Sequence, residues 1–458
     1  MSRKTQQALL FIFTVSVVVR IVDAFYLGNN LVEMRGGTYD QISYNALAQR
    51  VMQGHGFSFA ENHWPYAFAN QPTAFWSYLY TLYLAGVYLV FGYQPLIARL
   101  IQAVTVGILT PYLTYHITKR TFDKKSALIA AALSACYFYF IHYGASLMSE
   151  AFYIVSVLWM IDSGMRLANS ENYTSSKKQQ AFLSIEFGLA VSIALLLRQV
   201  AVVMLIPLLI WILYIAGRQG MFKKLLSQLT IAALITTGLL FPFIARNYRV
   251  FNVLSMPNTN AGFAFFWSNH PIYGTQFEAT LSPSHGISYQ DLIPVELRNL
   301  NEAQLDKALL QRGLQFVFDD PVRYLKLSLS RIPIFFIFWP SKDSSLMSNL
   351  ARVLSFGLYL PFMLLGLFIS LRAIIQNQYS HHTKFANPRD LKHENGPHVV
   401  LLICLLLAYT VVHIMSWTNV RYRLPVDALL IIFAGYALSS LIQALSVRSS
   451  ALAAQKLN

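Results

Sequence analysis

The chain has 458 residues, of which 55% are hydrophobic and only 12% charged, with a formal net charge of +15. Soluble globular proteins carry about 25% charged residues, so this composition excludes a soluble enzyme and implies an integral membrane protein with several spans. The positive charge falls mostly in short loops between apolar runs, where it sets topology rather than binding nucleic acid.

In chain order, apolar runs of spanning length occupy 8–27, 96–118, 126–145, 150–168, 182–198, 200–216, 228–246, 350–372, 398–416 and 425–444. The first follows Arg3 and Lys4 without a small-residue cleavage site and is expected to be a retained span. Two further runs, 75–92 and 326–340, are ambiguous. The loops 119–125, 169–181, 217–226 and 373–397 are basic, and positive charge belongs in the cytoplasm. All four fall there, with both termini, only if neither ambiguous run crosses. Both are therefore expected to be interfacial or re-entrant helices, the first with Trp76, Tyr78, Tyr80, Tyr83 and Tyr88 at the headgroup level. Segments 28–95 and 247–349 then face outward as a cap on a single domain, 1–458. The first contains a helical pattern from Ile42 to Val51, the second a polar helical stretch over 291–318. Cys136 and Cys404 lie inside apolar runs and suggest neither a disulfide nor a metal site.

The candidate chemistry sits at outer ends. Asp40 follows Gly36-Gly37 after the first span, and Tyr44 lies one helical turn on, over the same face. Asp40 is a general base at the mouth of the bundle, or it only starts the following helix as a cap. Glu150, after Ser149, is a second acid of the site, or a carboxylate favoured by a helix dipole that Ser149 caps. Arg198, Arg246 and the group Arg421-Tyr422-Arg423 are cations where the inside rule disfavours them. They recognise a phosphate, or they snorkel to the interface. His142 and His413 read as satisfied histidines, Asp162 and Glu186 as structural partners toward the cytoplasm, and Arg20 and Asp23 as protein-facing charges in the first span. No nucleotide-binding or zinc motif occurs. One acid per loop is thin for a hard cation, so a divalent metal stays open.

Asp40, Tyr44, Ala48, Gly54, Gly56 and Phe57 together resemble the first outer loop of GT-C membrane glycosyltransferases, bacterial proteins similar to protein O-mannosyltransferases and the lipid A aminoarabinose transferase. Gln71-Pro72-Thr73-Ala74-Phe75-Trp76, Ala98-Arg99-Leu100-Ile101-Gln102, Ser149-Glu150, the run Pro242 to Tyr248, Asn260-Ala261-Gly262, Ser268-Asn269-His270-Pro271 and Arg421-Tyr422-Arg423-Leu424-Pro425 continue the likeness in family order. The chain departs from the mannosyltransferases at Gln41, where they have Glu. It departs from the aminoarabinose enzymes at Gln71, where they tend to have Lys, and near Glu150, where they have Asp.

The resemblance implies an all-α polytopic fold of about ten spans plus interfacial juxtamembrane helices. It implies inverting transfer of a sugar from a polyprenyl-phosphate donor to a glycan, lipid or protein acceptor, with no nucleotide cofactor. Asp40 and Glu150 would be catalytic, and Tyr44, Arg198, Arg246, Arg421 and Tyr422 substrate-binding. The setting implied is a bacterial cytoplasmic membrane with the site facing outward. A transporter or flippase of lipid-linked sugars is the competing class, and would favour acids near the midplane and broken spans. A non-enzymatic assembly factor has no specific support, and an O-antigen ligase or polymerase is the nearest alternative enzyme.

Overall fold

The computed structural model describes residues 2–31, 40–169, 176–281, 285–342, 344–381 and 396–455. Gly36, Gly37 and part of the basic loops 169–181 and 373–397 fall outside these residues. Among the described residues the fold is helical, with only isolated β-bridges in the first outer segment.

Eight helical segments are long and apolar enough to span. They are α1 (Arg3–Leu27), α4 (Pro95–Thr121), α8 (Lys177–Leu197), α9 (Val202–Arg218, entered through a 3₁₀ turn), α10 (Phe222–Phe251), α14–α15 (Leu346–Arg352 and Leu358–His381, continuous through a π-helical turn), α16 (Gly396–Met415) and α17 (Leu424–Gln455). A ninth span is bent by 53° between α5 (Lys124–Cys136) and α6 (Phe138–Ala145). The tenth expected run is α7 (Glu150–Leu167). It carries Glu150, Asp162 and Arg166, so composition alone does not mark it as a span, and most of its residues are buried. The expected polytopic architecture is thus the observed one.

The two ambiguous runs form short helices. α3 (Tyr78–Phe91) has 14 residues, and α13 (Pro321–Phe335) has 15. At 1.5 Å per residue these reach about 21–23 Å, short of a hydrocarbon core of about 30 Å. On α13 and the end of α12 (Glu302–Asp319), the exposed apolar residues Phe318, Val322, Leu325 and Leu329 recur at helical spacing, with Arg323 and Lys326 between them. That amphipathic surface suits a membrane interface. The aromatic residues of this run differ from expectation: Trp76, just before α3, and Tyr78, Tyr80 and Tyr88 within it are buried in protein. For the tyrosines the hydroxyls explain it, because partners inside satisfy them: Tyr80 Oη donates to Gln102 Oε1 (2.8 Å) and Tyr88 Oη to Asn45 Oδ1 (2.9 Å). The stretch expected to be helical over 291–318 is helical only from Glu302, where Asn301 and Gln304 form a capping box.

The bundle packs through small residues. α15 meets α17 at Gly366, where an added Cβ would lie 2.0 Å from the Phe433 carbonyl oxygen. Only glycine permits that approach. The outer segments hold a separate cluster built from Phe263, Phe266, Trp267, Tyr273, Phe277 and Tyr289 with Leu305, Leu309 and Leu327. Here α11 (Ala261–Asn269) crosses α12 at Gly262, whose added Cβ would sit 1.7 Å from the Asp306 carbonyl oxygen. Glu302 joins the two outer segments, accepting from Thr73 Oγ1 (2.6 Å), Ala74 N (2.7 Å) and Thr259 Oγ1 (2.5 Å).

Candidate active site

Four charged side chains from four parts of the chain meet at the outer end of the bundle. Asp40 is the first residue of α2 (Asp40–Met52), and Glu150 the first of α7. Each carboxylate thereby lies at a helix start, where the dipole favours it. Arg421 comes from the 3₁₀ turn Val420–Arg423 and hydrogen-bonds Asp40 Oδ2 through Nη1. The same Nη1 lies 3.3 Å from Glu150 Oε1. Arg198, at the break after α8, donates from Nη2 to Glu150 Oε1 (2.5 Å) and from Nε to Ser149 Oγ (3.2 Å). The two acids and two cations carry no net charge together.

Sequence left a cap reading open for both acids. Ser149 makes no side-chain cap bond, and its hydroxyl accepts from Arg198 instead. Among the described residues the Asp40 carboxylate bonds Arg421, not the amides of its own helix. Glu150 is almost fully buried, and its Oε2 has no hydrogen-bond partner among the described residues. A buried carboxylate oxygen left without a partner is costly in a purely structural pair.

Aromatic rings wall the cluster. The guanidinium of Arg198 lies 5.8 Å from the ring centre of Tyr153 and 5.6 Å from that of Tyr422, and that of Arg421 lies 5.1 Å from Tyr422. Such contacts fix planar cations without consuming their N–H groups. His413 stacks on Tyr422 at 5.1 Å and bonds the Trp417 carbonyl oxygen through Nδ1 (3.1 Å), while its buried Nε2 has no hydrogen-bond partner among the described residues, so it is only half satisfied. Tyr44 packs edge-on against Tyr80, with its hydroxyl 3.5 Å from Ser149 Oγ. Burial, and then the charge of Asp40, push its phenol up to about 12, so it stays protonated.

Arg246 belongs elsewhere. Its Nη1 donates to the Thr73 carbonyl oxygen (3.0 Å) and to Tyr78 Oη (2.5 Å), and its guanidinium stacks near Phe57, Tyr78 and Phe251. It ties the end of α10 to the first outer segment, and of the arginines singled out at outer helix ends it is Arg198 and Arg421, not Arg246, that reach the two acids. The other charges singled out in the sequence have internal partners: Asp162 with Arg120 and Arg166, Glu186 with Arg166, Arg20 with Ser16, and Asp23 with His142.

Sequence reasoning missed three contributors. Arg99 is fully buried and donates to Gln41 Oε1 (3.0 Å), the Ala145 carbonyl oxygen (2.8 Å) and the Asn30 carbonyl oxygen (2.7 Å). Gln41 Oε1 also accepts from Leu147 N (3.0 Å), so the residue that departs from the mannosyltransferase pattern fastens α2 to the loop before α7. An arginine inside an apolar run was the available signal for Arg99. His63 Nε2 lies 2.7 Å from Ser43 Oγ, one turn beyond Asp40, and nothing in its sequence context marked it. Among the described residues no group of three or more His, Cys, Asp or Glu side chains converges. Asp40 and Glu150 are the two carboxylates available to a cation, and Arg421 stands between them.

Comparison with known proteins bears on the fold and on one segment. No curated protein is similar enough in sequence to match the chain. Residues 77–244 match a family described as dolichyl-phosphate-mannose-protein mannosyltransferase. The structure is similar to the archaeal oligosaccharyltransferase AglB from Archaeoglobus fulgidus in complex with an inhibitory peptide and a dolichol-phosphate. The TM-score is 0.58 at 15% identity, over 99% of this chain and 52% of that one. The apo form of the Archaeoglobus fulgidus enzyme gives the same score and identity over 98% and 52%. ArnT from Cupriavidus metallidurans bound to undecaprenyl phosphate is more distant, with a TM-score of 0.42 and 12% identity over 94% of this chain and 60% of that one. The chain spans about half the length of the archaeal structures. Over nearly its whole length the chain has the fold of these archaeal structures, and its residues 77–244 are similar to the mannosyltransferase family.

Proposed function

We propose that the chain is a glycosyltransferase that moves a sugar from a polyprenyl-phosphate donor to an acceptor on the outer face of the membrane, with inversion. The observation that carries the reading is the convergence of Asp40 and Glu150, from separate helices, on the Arg421 guanidinium beside Arg198. The acceptor oxygen or nitrogen attacks the anomeric carbon, and the bond from that carbon to the phosphate oxygen breaks. The acceptor's proton passes to Asp40, and the leaving electron pair goes to the phosphate. Arg198 commits two of its five N–H groups to Glu150 and Ser149, which leaves donors for phosphate oxygens as charge develops. Arg421 and Tyr422 complete that side, and the open Glu150 oxygen orients the acceptor. A dolichol-phosphate bound to a structure of the same fold supports a lipid-phosphate donor.

The bent α5–α6 pair is a broken span of the kind a flippase would have. At the bend, however, Tyr137 donates to Asp427 Oδ2 (2.7 Å), and Asp427 is paired with Arg423 (2.9 Å), so these groups hold one another rather than cargo.

Purified protein supplied with labelled polyprenyl-phosphate sugars and a membrane extract is expected to transfer label. Asp40→Asn keeps the side-chain shape and should lose at least about two orders of magnitude in rate at normal abundance. Near-normal turnover would remove Asp40 as base. Arg421→Lys should weaken donor binding, since a point charge replaces the planar fork. For orientation, Ala60→Cys should react with an impermeant thiol reagent added outside, and Lys178→Cys should not. Outside labelling at 178 would reverse the topology.

A further inference from the structure

A cleft of about 480 Å³ opens between the two outer segments, and none of the four charged residues of the cluster lines it. One wall is the stretch carrying Asn62, His63, Trp64 and Phe68, and the other carries Gln290 and Asp291. The volume lies in the range of about 300–1,000 Å³ usual for small-molecule sites. The rings of Trp64 and Phe68 are 42% and 48% exposed, in a part of the molecule whose other aromatic side chains are mostly buried. They are nonetheless held: Tyr289 meets Trp64 edge-on at 6.4 Å, and Tyr66 meets Phe68 edge-on at 5.0 Å.

The polar groups are placed around those rings. Asp291 Oδ2 accepts from Ser288 N and Oγ, both at 2.7 Å, and its other oxygen has no partner among the described residues. Gln290 Nε2 donates to the Pro65 carbonyl oxygen (2.8 Å), which braces one wall against the other. Asn62 Oδ1 accepts from Ala69 N (2.9 Å), and its amide hydrogens have no partner among the described residues. His63 and Ala67 exchange both backbone bonds (2.8 and 2.9 Å), so this wall offers side chains and no free strand edge at those residues. Flat apolar faces flanked by a carboxylate and amides match a pyranose, which has an apolar C–H face and a rim of hydroxyls. A peptide would call for apolar side-chain pockets or an unpaired strand.

His63 supplies the link. It stacks on Phe59 at 4.0 Å and bonds Ser43, three residues after Asp40 on α2. Resting on the reaction proposed above, we infer that this cleft is a subsite for a saccharide portion of the acceptor, with Trp64 and Phe68 as stacking platforms and Asp291 and Asn62 as hydroxyl partners.

The test is saturation-transfer NMR on the full chain in lipid nanodiscs, with maltotriose, mannotriose and chitotriose as probes and a Ser/Thr-containing hexapeptide as the contrast. At least one trisaccharide should bind. Asp291→Asn should weaken it by about tenfold, the equivalent of one hydrogen bond to an ionised group, and Trp64→Ala by about as much through lost ring contact, while Trp64→Phe retains most of the binding. Absence of binding by every trisaccharide overturns the subsite. So does binding unchanged in both weakening variants, or binding of the peptide alone. The two proposals fail separately: saccharide binding without transfer from any polyprenyl donor leaves the subsite and removes the reaction, and transfer without saccharide binding does the reverse.

Discussion

The membrane bundle and the outer cap solve the same packing problem with different residues. In the bundle, helices approach through Gly366, Gly435 and Gly188, and the buried set is rich in Ala, Leu and Ile. The cap's core is chiefly aromatic, with Phe263, Phe266, Trp267, Tyr273, Phe277 and Tyr289. The reason is the solvent. Lipid tails compete equally well for apolar side chains, so bundle helices gain from close backbone contact rather than from burial. In the proposed topology the cap stands in water, where large rings bring the most burial per residue. The charged site lies where these two regimes meet.

Glycine substitutions offer the sharpest way to break that contrast. Gly366→Ala forces a methyl against the Phe433 backbone, and Gly262→Ala against the Asp306 backbone, with no flexible side chain to yield. Overpacking costs about 1–3 kcal/mol and sometimes more, and both changes belong at or above the top of that range. Gly366→Ala should lower the thermal midpoint of the bundle while the cap stays protease-resistant. Gly262→Ala should expose the cap to protease while the bundle midpoint holds. Loss of both regions in either variant would show that they unfold as one unit.

A smaller effect separates the regions by pH. Burial pushes the Asp306 carboxyl up to about 7, although the Gly262 and Phe263 amides oppose this. Its contribution to cap stability is full below its ordinary value near 4 and is lost as pH rises through 7. Burial and the Arg323 and Arg312 charges push His270 down to about 4. Its contribution is present above about 6.5 and is lost as pH falls through 4. The two oppose each other over nearly the same window, so the wild-type cap should be nearly flat there. Asp306→Asn keeps the acceptor for both amides and leaves His270 opposed only by Glu302, whose carboxyl burial also raises but Thr259, Thr73 and the Ala74 amide hold down. Cap stability, followed by hydrogen exchange over 302–319, should then rise by about 1 kcal/mol or more from pH 4 to 6.5. A flat profile in the variant would refute the compensation.

The smallest expected effect is on donor affinity in Arg246→Ala. With its partners in the first outer segment and none among the acids, its loss should loosen the cap by about 1–3 kcal/mol and leave donor binding within about threefold. A large loss of donor affinity would return Arg246 to the phosphate side.

Hydropathy and loop charge made the spans legible, including the two short helices, because lipid imposes length and polarity rules that few sequences escape. The run 150–168 was readable too, despite the charges of α7, whose partners no linear pattern displays. For the site, Asp40, Glu150, Arg198 and Arg421 were readable as charges at outer helix ends, and their convergence follows from the helix order. Gln41, Arg99 and His63 were not, because they act by bracing others and carry no spacing signature. The aromatic residues of α3 were misplaced at the interface for a related reason: Tyr looks the same in sequence whether its hydroxyl meets water or a buried amide.

The turn Val420–Arg423 has one further consequence. Arg421 faces the two acids, and Arg423, two residues on, is fully buried and donates to the carbonyl oxygens of Phe335 (2.8 Å) and Ile337 (3.2 Å), at the end of the cap's amphipathic helix. Asp427 clamps the same guanidinium from below. The turn therefore has one arm in the cap and the other in the site, so the end of α13 and the cation between the carboxylates are held by the same four residues.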